Sequence, residues 1–109
     1  MKVWRVDHPD IENCDGENGP YRLDQEFDVC ESMLLAHQDM DVWPDWRTDE
    51  LDGETDGDWL SGFRTLRQLE EWFGDWLDLL LNEGFEIVQY EAASTRSGKS
   101  GKQIAFLPA

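Results

Sequence analysis

The chain has 109 residues, with 25 aspartates and glutamates against nine lysines and arginines, and its formal net charge is −16. This length predicts a single domain at 1–109 with a small core. Six tryptophans and five phenylalanines help to fill that core. Such a negative field argues against direct binding of nucleic acid or anionic lipid, and the lack of a run of about 18 apolar residues argues against a membrane span.

The first predicted elements are a strand at 2–7 and a helix at 24–37. The strand alternates in side-chain character, and His8-Pro9 ends it because proline cannot continue a ladder and restricts the residue before it. Asp24 is a candidate N-cap for the helix, whose apolar residues recur three and four positions apart. These two elements open the chain as β-α.

The strongest pattern predicts one helix at 65–83. Thr65 and Gln68 fit a capping box at its start. Gly84 fits a left-handed residue at its end, after which the next residue, Phe85, folds back on the helix. One face of the helix is apolar and predicts a packed surface; it is formed by Leu66, Leu69, Phe73, Trp76 and Leu80.

Two further strands are predicted at 85–92 and 103–107, joined by a hairpin loop at 94–102 that carries the only basic cluster of the chain. Together these elements predict an α+β fold. It is a small antiparallel three-stranded sheet packed against two helices, in the order β-α-loop-α-β-β.

The most unusual stretch is the segment 39–58, which holds nine acidic residues and one arginine. Residues 1–58 carry a net charge of −14 and residues 59–109 a net charge of −2, so the acids are concentrated in one half of the chain. A disordered acidic linker seldom carries two tryptophans, and Trp43 and Trp46 therefore predict a loop pinned to the core. A general need for solubility, or a halophilic source, is the alternative explanation of the charge.

The acids of this segment are the candidate binding residues, because carboxylates can occupy a protein surface that neutralises phosphates with lysine and arginine. Trp43 and Trp46 are either interface anchors or core residues. The candidate acids are Asp39, Asp41, Asp45, Asp49, Glu50, Asp52, Glu54, Asp56 and Asp58.

No metal or cofactor is predicted. Residues 52–57 place acids at the first, third and fifth positions of a calcium loop, but Phe63 stands at the twelfth, where a bidentate glutamate is required. The two histidines and two cysteines lack zinc-site spacing, and neither a disulfide framework nor a catalytic motif is present in the sequence.

An enzyme or small-ligand binder is the alternative function. Arg5 lies on the first strand, where NAD-dependent ADP-ribosyltransferases often place an arginine or histidine that holds the cofactor. In this alternative, Tyr21, Arg22 and His8 line a cleft beside that strand. The other motifs of those enzymes are not recognisable, and the chain is short for their fold. A strand arginine paired with a neighbouring acid is the simpler interpretation, so a non-catalytic protein is preferred and the enzyme question stays open.

Four segments of the chain, VWRV at 3–6, GPYR at 19–22, GFRTLRQLEEWF at 62–73 and GFEIVQYE at 84–91, resemble small, mostly uncharacterised proteins encoded by bacteriophages and prophages. The resemblance implies a phage gene and no particular activity. With the charge, it suggests an acidic interaction protein of the host cytoplasm. Such a protein would bind and block a basic, nucleic-acid-binding surface of a host protein, such as a CRISPR or other defence complex, as a DNA mimic without catalysis.

Overall fold

The computed structural model describes residues 1–9, 19, 28–51 and 59–109. The four strands described there form one antiparallel sheet in the order β1-β3-β4-β2. None of the helices in these ranges is long and apolar enough to cross a bilayer. In chain order the elements are β1 (Lys2–Asp7), α1 (Asp28–Ala36), β2 (Leu60–Gly62), α2 (Leu66–Phe73), α3 (Trp76–Asn82), β3 (Glu86–Ser97) and β4 (Ile104–Pro108).

The predicted three-stranded sheet with two helices is wrong, first because β2 was missed. This strand has three residues, Leu60–Gly62, and pairs antiparallel with β4 through Leu60 and Phe106. Three residues are too few for a period-two pattern to be recognised, and the strand is defined by its partner rather than by its own sequence.

The second error concerns the helix predicted at 65–83, which is broken into α2 and α3. The break is at Gly74, whose φ of 54° and ψ of −131° lie outside the helical region and suit a residue without a Cβ. The turn lets α2 bury Trp72 and Phe73 while α3 buries Leu80, and all three enter one cluster. The structure therefore has three short helices among its described residues.

The predicted end of this region is confirmed. Gly84 has a φ of 96°, and its N–H donates to the carbonyl of Leu81 at 3.1 Å. The N–H of Phe85 donates to the carbonyl of Leu80 at 3.1 Å, and both side chains are buried in the same cluster. These two bonds, with the apolar contact, are a Schellman ending.

The predicted start of the helix is confirmed in one of its two bonds. Thr65 Oγ1 accepts from the N–H of Gln68 at 3.1 Å, as in a capping box. The amide of Gln68 does not reach back to the cap; it donates to the carbonyl of Gly101 at 3.2 Å and ties α2 to the β3–β4 hairpin.

The other predicted boundaries agree within a few residues, except that β3 continues to Ser97 instead of ending at residue 92. The first strand has the predicted bounds, and the last is shifted by one residue. Helix α1 lies inside the predicted helix at 24–37, of which residues 24–27 lie outside the described residues.

The sheet nearly closes on itself, because its two edge strands meet at Trp4 and Phe63. Each of these residues donates its N–H to the carbonyl of the other at 2.8 Å. Since Phe63 directly follows β2, the bridge joins β2 to β1 and curls the four strands into a partial barrel.

The curled sheet separates two apolar clusters, and β1 contributes to both because its side chains alternate between faces. The inner cluster contains Val3, with Leu60, Ile104 and Phe106 from β2 and β4. Val6 faces the opposite way, into a larger cluster that the helices cover. Its buried members are Val6, Cys30, Met33, Phe63, Leu69, Trp72, Phe73, Leu80 and Phe85.

The closure of the sheet leaves no room for a side chain at position 62. A Cβ on Gly62 would lie 2.7 Å from Val3 Cγ1, 2.9 Å from Phe106 Cε1 and 3.0 Å from the Trp4 carbonyl oxygen. We expect Gly62→Ala to lower the free energy of unfolding by about 1–3 kcal/mol, the usual cost of overpacking. Chemical denaturation measures it.

Gly101→Ala is the matched control for this substitution. Gly101 has a φ of 75° and no neighbour within 4 Å of an added Cβ, so alanine there meets only backbone strain. Gly101→Ala thus measures backbone strain without a clash, and a Gly62→Ala variant that loses less than about 0.5 kcal/mol would show that the edge strands do not approach as closely as the geometry indicates.

Candidate functional site

The structure describes five of the nine acids predicted to form a binding surface. The carboxylates of Asp39, Asp41, Asp45 and Glu50 are on exposed residues. Asp49 is 1% exposed, so the expectation that it offers its carboxylate to a partner is wrong. Asp52, Glu54, Asp56 and Asp58 lie outside the described residues.

Residues 45–51 form a single helical turn with a cap at each end. At its start, Asp45 Oδ1 accepts from the N–H of Thr48 at 2.7 Å. This bond is the main cause that lowers the pKa of the Asp45 carboxyl, with a smaller contribution from nearby Arg47. At its end, Glu50 takes a left-handed φ of 59° and the N–H of Leu51 donates to the Trp46 carbonyl at 2.7 Å. Asp45 is therefore ionised and fixed in place.

The buried carboxylate of Asp49 joins this turn to the β3–β4 hairpin. Its Oδ1 accepts from the N–H of Ser100 at 2.6 Å, and its Oδ2 accepts from Ser100 Oγ and Gln103 Nε2, each at 3.0 Å. Its backbone carbonyl accepts from the N–H of Lys99 at 2.9 Å. Gly98 is required beside it, because an added Cβ would overlap the carboxylate. These bonds offset the cost of burying the charge.

The basic hairpin loop also contacts the acidic segment directly. Lys99 Nζ lies 3.6 Å from Glu50 Oε1, and Arg96 donates to the Glu50 carbonyl at 3.2 Å. Lys102 Nζ donates to the carbonyls of Asp41 and Val42 at 2.7 and 3.2 Å. The charge of Glu50 is thus partly offset on the surface of the protein itself.

Of the carboxylates described in residues 39–51, three are on exposed residues and form no salt bridge there. Among the described residues, no salt bridge involves Asp39, Asp41 or Asp45. Asp39 Oδ1 accepts from the backbone N–H of Asp41 at 3.0 Å, which fixes the start of the segment. We call residues 39–50 the acidic loop.

A cavity of about 340 Å³ lies beside the acidic loop, at the end of the sheet where β1 and β2 diverge. The indoles of Trp43, Trp46 and Trp72 line it, with the rings of Phe63 and Phe73. Its polar lining is given by Arg5, His37, Asp45, Ser61 and Gln103. We call it the aromatic cavity. Both tryptophans of the acidic segment therefore lie at its boundary, half-buried.

Trp43 is held in the wall of the aromatic cavity by two interactions. Its Nε1–H donates to the Trp72 carbonyl at 2.9 Å, and its ring stacks on His37 with centroids 4.2 Å apart and planes inclined by 10°. The ring of Trp76 lies nearly perpendicular to the same imidazole, with centroids 6.4 Å apart. Burial lowers the pKa of His37, so the ring is neutral at pH 7 and the stack carries no charge.

Arg5 is held by its neighbours at the diverging end of the sheet. Its Nε donates to Asp7 at 2.6 Å, and its Nη1 donates to the carbonyl and hydroxyl of Ser61 at 2.8 and 3.1 Å. The hydroxyl of Tyr90 donates to the second carboxylate oxygen of Asp7. This is the paired strand arginine of the simpler interpretation. Tyr21 and Arg22, which the alternative enzyme function also needs, lie outside the described residues.

The described part of the chain contains no group of three or more histidine, cysteine or acidic side chains that could hold a metal ion. Cys30 lies buried in the larger apolar cluster, and His8 packs edge-on against Phe85 at 5.0 Å. Cys14 and the calcium-like segment 52–57 lie outside the described residues.

Three residues of this site cannot be identified from the sequence: His37, Trp72 and Gln103. They fall in the predicted helices at 24–37 and 65–83 and in the predicted strand at 103–107, and nothing in their spacing shows that they meet. The available signal was the pair Trp43 and Trp46 in an acidic segment, which required a hydrophobic surface to pack against.

A model of the family described as Bacteriophage T4 Y00F protein matches residues 1–109. The chain belongs to this family. The match confirms the phage origin that the sequence resemblance implied, and it assigns no activity. Neither the curated proteins nor the solved structures contain a match to the chain.

The buried carboxylate of Asp49 gives a test of how the acidic loop is held. We expect Asp49→Ala to lower the free energy of unfolding by about 1.5–3 kcal/mol or more, because it removes three hydrogen bonds to a charged group, one of them the buried bond from Gln103. Asp41→Ala, at an exposed position, is the control and should change it by about 0.5 kcal/mol or less.

A double-mutant cycle identifies the contact itself. Gly98→Ala should be costly in the natural protein, because its Cβ overlaps the Asp49 carboxylate, and much less costly in the Asp49→Ala background. Equal costs of Gly98→Ala in the two backgrounds would contradict the contact.

His37 gives a pH-dependent prediction. Because its pKa is lowered in the folded protein from 6.5, the unfolded chain binds a proton more readily, and stability falls as pH drops below about 6.5 toward the folded pKa. We expect the difference in unfolding free energy between the natural protein and His37→Phe to be constant above pH 7.5. Between pH 7 and 5.5 the natural protein should lose stability relative to the variant. Parallel curves over that window would mean that His37 does not titrate differently on unfolding.

Proposed function

We propose that this phage protein is a non-catalytic interaction module whose acidic loop binds a basic, nucleic-acid-binding surface of a host protein. The observation that supports it best is the presentation of Asp39, Asp41 and Asp45. These three carboxylates are exposed on the acidic loop. Hydrogen bonds between this loop and the β3–β4 hairpin hold the loop in one conformation.

The fixed conformation of the loop matters for affinity. Ordering a flexible loop on binding costs free energy, and a loop that is already ordered avoids that cost. Here the Asp39 carboxylate accepts from the N–H of Asp41, and Asp45 caps the turn that follows. Lys102 donates to the carbonyls of Asp41 and Val42, which lie between them. The carboxylates are therefore arranged before a partner arrives.

The partner's chemistry follows from these groups. A surface that binds phosphates through lysine and arginine offers the same donors to carboxylates, and its own field attracts an acidic protein. Host proteins with such surfaces include nucleases, repressors and defence complexes such as CRISPR effectors, which hold nucleic acid in a positively charged channel. Occupying that surface would block it without any chemical step.

The test removes charge from the loop and keeps its hydrogen bonds. Asparagine caps as well as aspartate, so Asp39→Asn, Asp41→Asn and Asp45→Asn together should leave the fold intact. At low salt, we expect the natural chain to capture a host protein from a host-cell lysate, and we expect this triple variant to fail to capture it. Capture by the natural chain should fall steeply as salt rises, because exposed charges are screened.

A matched triple variant controls for overall charge. Glu70→Gln, Asp75→Asn and Asp78→Asn remove the same number of charges from exposed positions on α2, just before α3 and on α3. This variant should keep the captured protein. Equal losses in the two variants, or retention by the loop variant, would show that the acidic loop is a solvated surface and not a binding site.

A further inference from the structure

We propose that the aromatic cavity binds an arginine side chain of the partner protein, so that the cavity and the acidic loop bind one basic segment together. This inference rests on the proposed function and adds the chemical class of the group that enters the cavity.

The walls of the cavity favour a flat cation. Trp43, Trp46 and Trp72 line it; one face of Trp43 is covered by His37, and aromatic rings of this kind attract a guanidinium or ammonium group, guanidinium more often. A guanidinium also stacks on an aromatic face and sheds water more easily than an ammonium group does, which favours arginine over lysine. The volume of about 340 Å³ is near the lower end of the range of about 300–1,000 Å³ for ligand pockets, and suits one or two side chains.

The charges around the cavity also favour a bound cation. Arg5 lines it, but its guanidinium is paired with Asp7 at 2.6 Å, so that pair is close to neutral. His37 is buried in a stack with Trp43, and the amide of Gln103 already donates to the Pro44 carbonyl at 2.6 Å and to Asp49. Asp45 is exposed at the cavity lining, where its carboxylate can meet the guanidinium.

The position of the cavity links it to the loop. Trp43, Pro44, Asp45 and Trp46 are consecutive residues of the acidic loop, and all four line the cavity. Met40, between Asp39 and Asp41, lines it too, so a basic segment lying along those two acids would pass the mouth of the cavity, where a buried aromatic contact can act as the anchor of an otherwise electrostatic interface.

The test uses the full chain and two capped tripeptides, leucine–arginine–leucine and leucine–citrulline–leucine. Citrulline has nearly the shape of arginine and no charge, so the pair separates cation binding from simple hydrophobic filling. In heteronuclear NMR titrations at low salt, we expect the arginine peptide to shift the indole N–H signals of Trp43 and Trp46. It should bind about tenfold more tightly than the citrulline peptide.

Three variants locate the site. Asp45→Asn keeps the cap to Thr48 and should weaken the arginine peptide by about threefold, while Asp78→Asn, on α3, should leave it unchanged. Trp46→Leu should abolish most of the difference between the two peptides. If Trp46→Leu fails to fold, the Asp45→Asn and Asp78→Asn pair decides the question by itself.

Three outcomes would overturn the inference: no binding of the arginine peptide at millimolar concentration, equal binding of the two peptides, or signal changes that leave Trp43 and Trp46 untouched. Each is separate from the test of the proposed function. Capture of a host protein that depends on Asp39, Asp41 and Asp45, together with no peptide binding, would leave the interaction module in place and remove only the arginine site.

Discussion

A carboxylate that is 1% exposed must have hydrogen-bond partners, and the surroundings of the acidic loop are arranged to supply them to Asp49. The partners come from the far end of the chain: the backbone and hydroxyl of Ser100 and the amide of Gln103. Gly98 leaves the space for the carboxylate. The Asp49 side chain, together with the bonds from Lys102 and Gln103 to carbonyls of the loop, fixes where the loop lies on the hairpin and hence where the exposed carboxylates lie.

The aromatic cavity is a consequence of the same arrangement. The sheet closes at Trp4 and Phe63 and diverges beyond them, where Arg5 spans the gap to Ser61. The acidic loop then lies across this diverging end, since its position is set by the hairpin. Trp43 and Trp46 are the residues that reach the apolar surface left there, and they only partly cover it.

Local signals predicted the parts of the fold that depend on neighbouring residues. The Schellman ending at Gly84 and the cap at Thr65 each involve residues within five positions, and both could be predicted from spacing alone. Strand β2 could not, because its three residues are defined by pairing with a strand more than 40 positions away. The break at Gly74 was also hidden, because a glycine inside a helix usually weakens it without turning the chain.

Asp49 shows why the candidate site was only partly predictable. In the sequence it is one of nine acids in twenty residues, and neither its neighbours nor its spacing distinguishes it from Asp45 or Glu50. Its burial is decided by donors about fifty positions away, which a count of charges does not contain.

The charge that the loop presents is therefore smaller and better defined than its composition suggests. Of the five acids described there, Asp49 is internal and Glu50 lies beside Lys99, which leaves Asp39, Asp41 and Asp45 facing solvent without a salt bridge among the described residues. Three fixed carboxylates supply little attraction individually, because exposed ion pairs contribute at most about 1 kcal/mol each. A specific complex on this face consequently needs an apolar contact as well, and the cavity that Trp43 and Trp46 border lies beside Asp45 and offers such a contact.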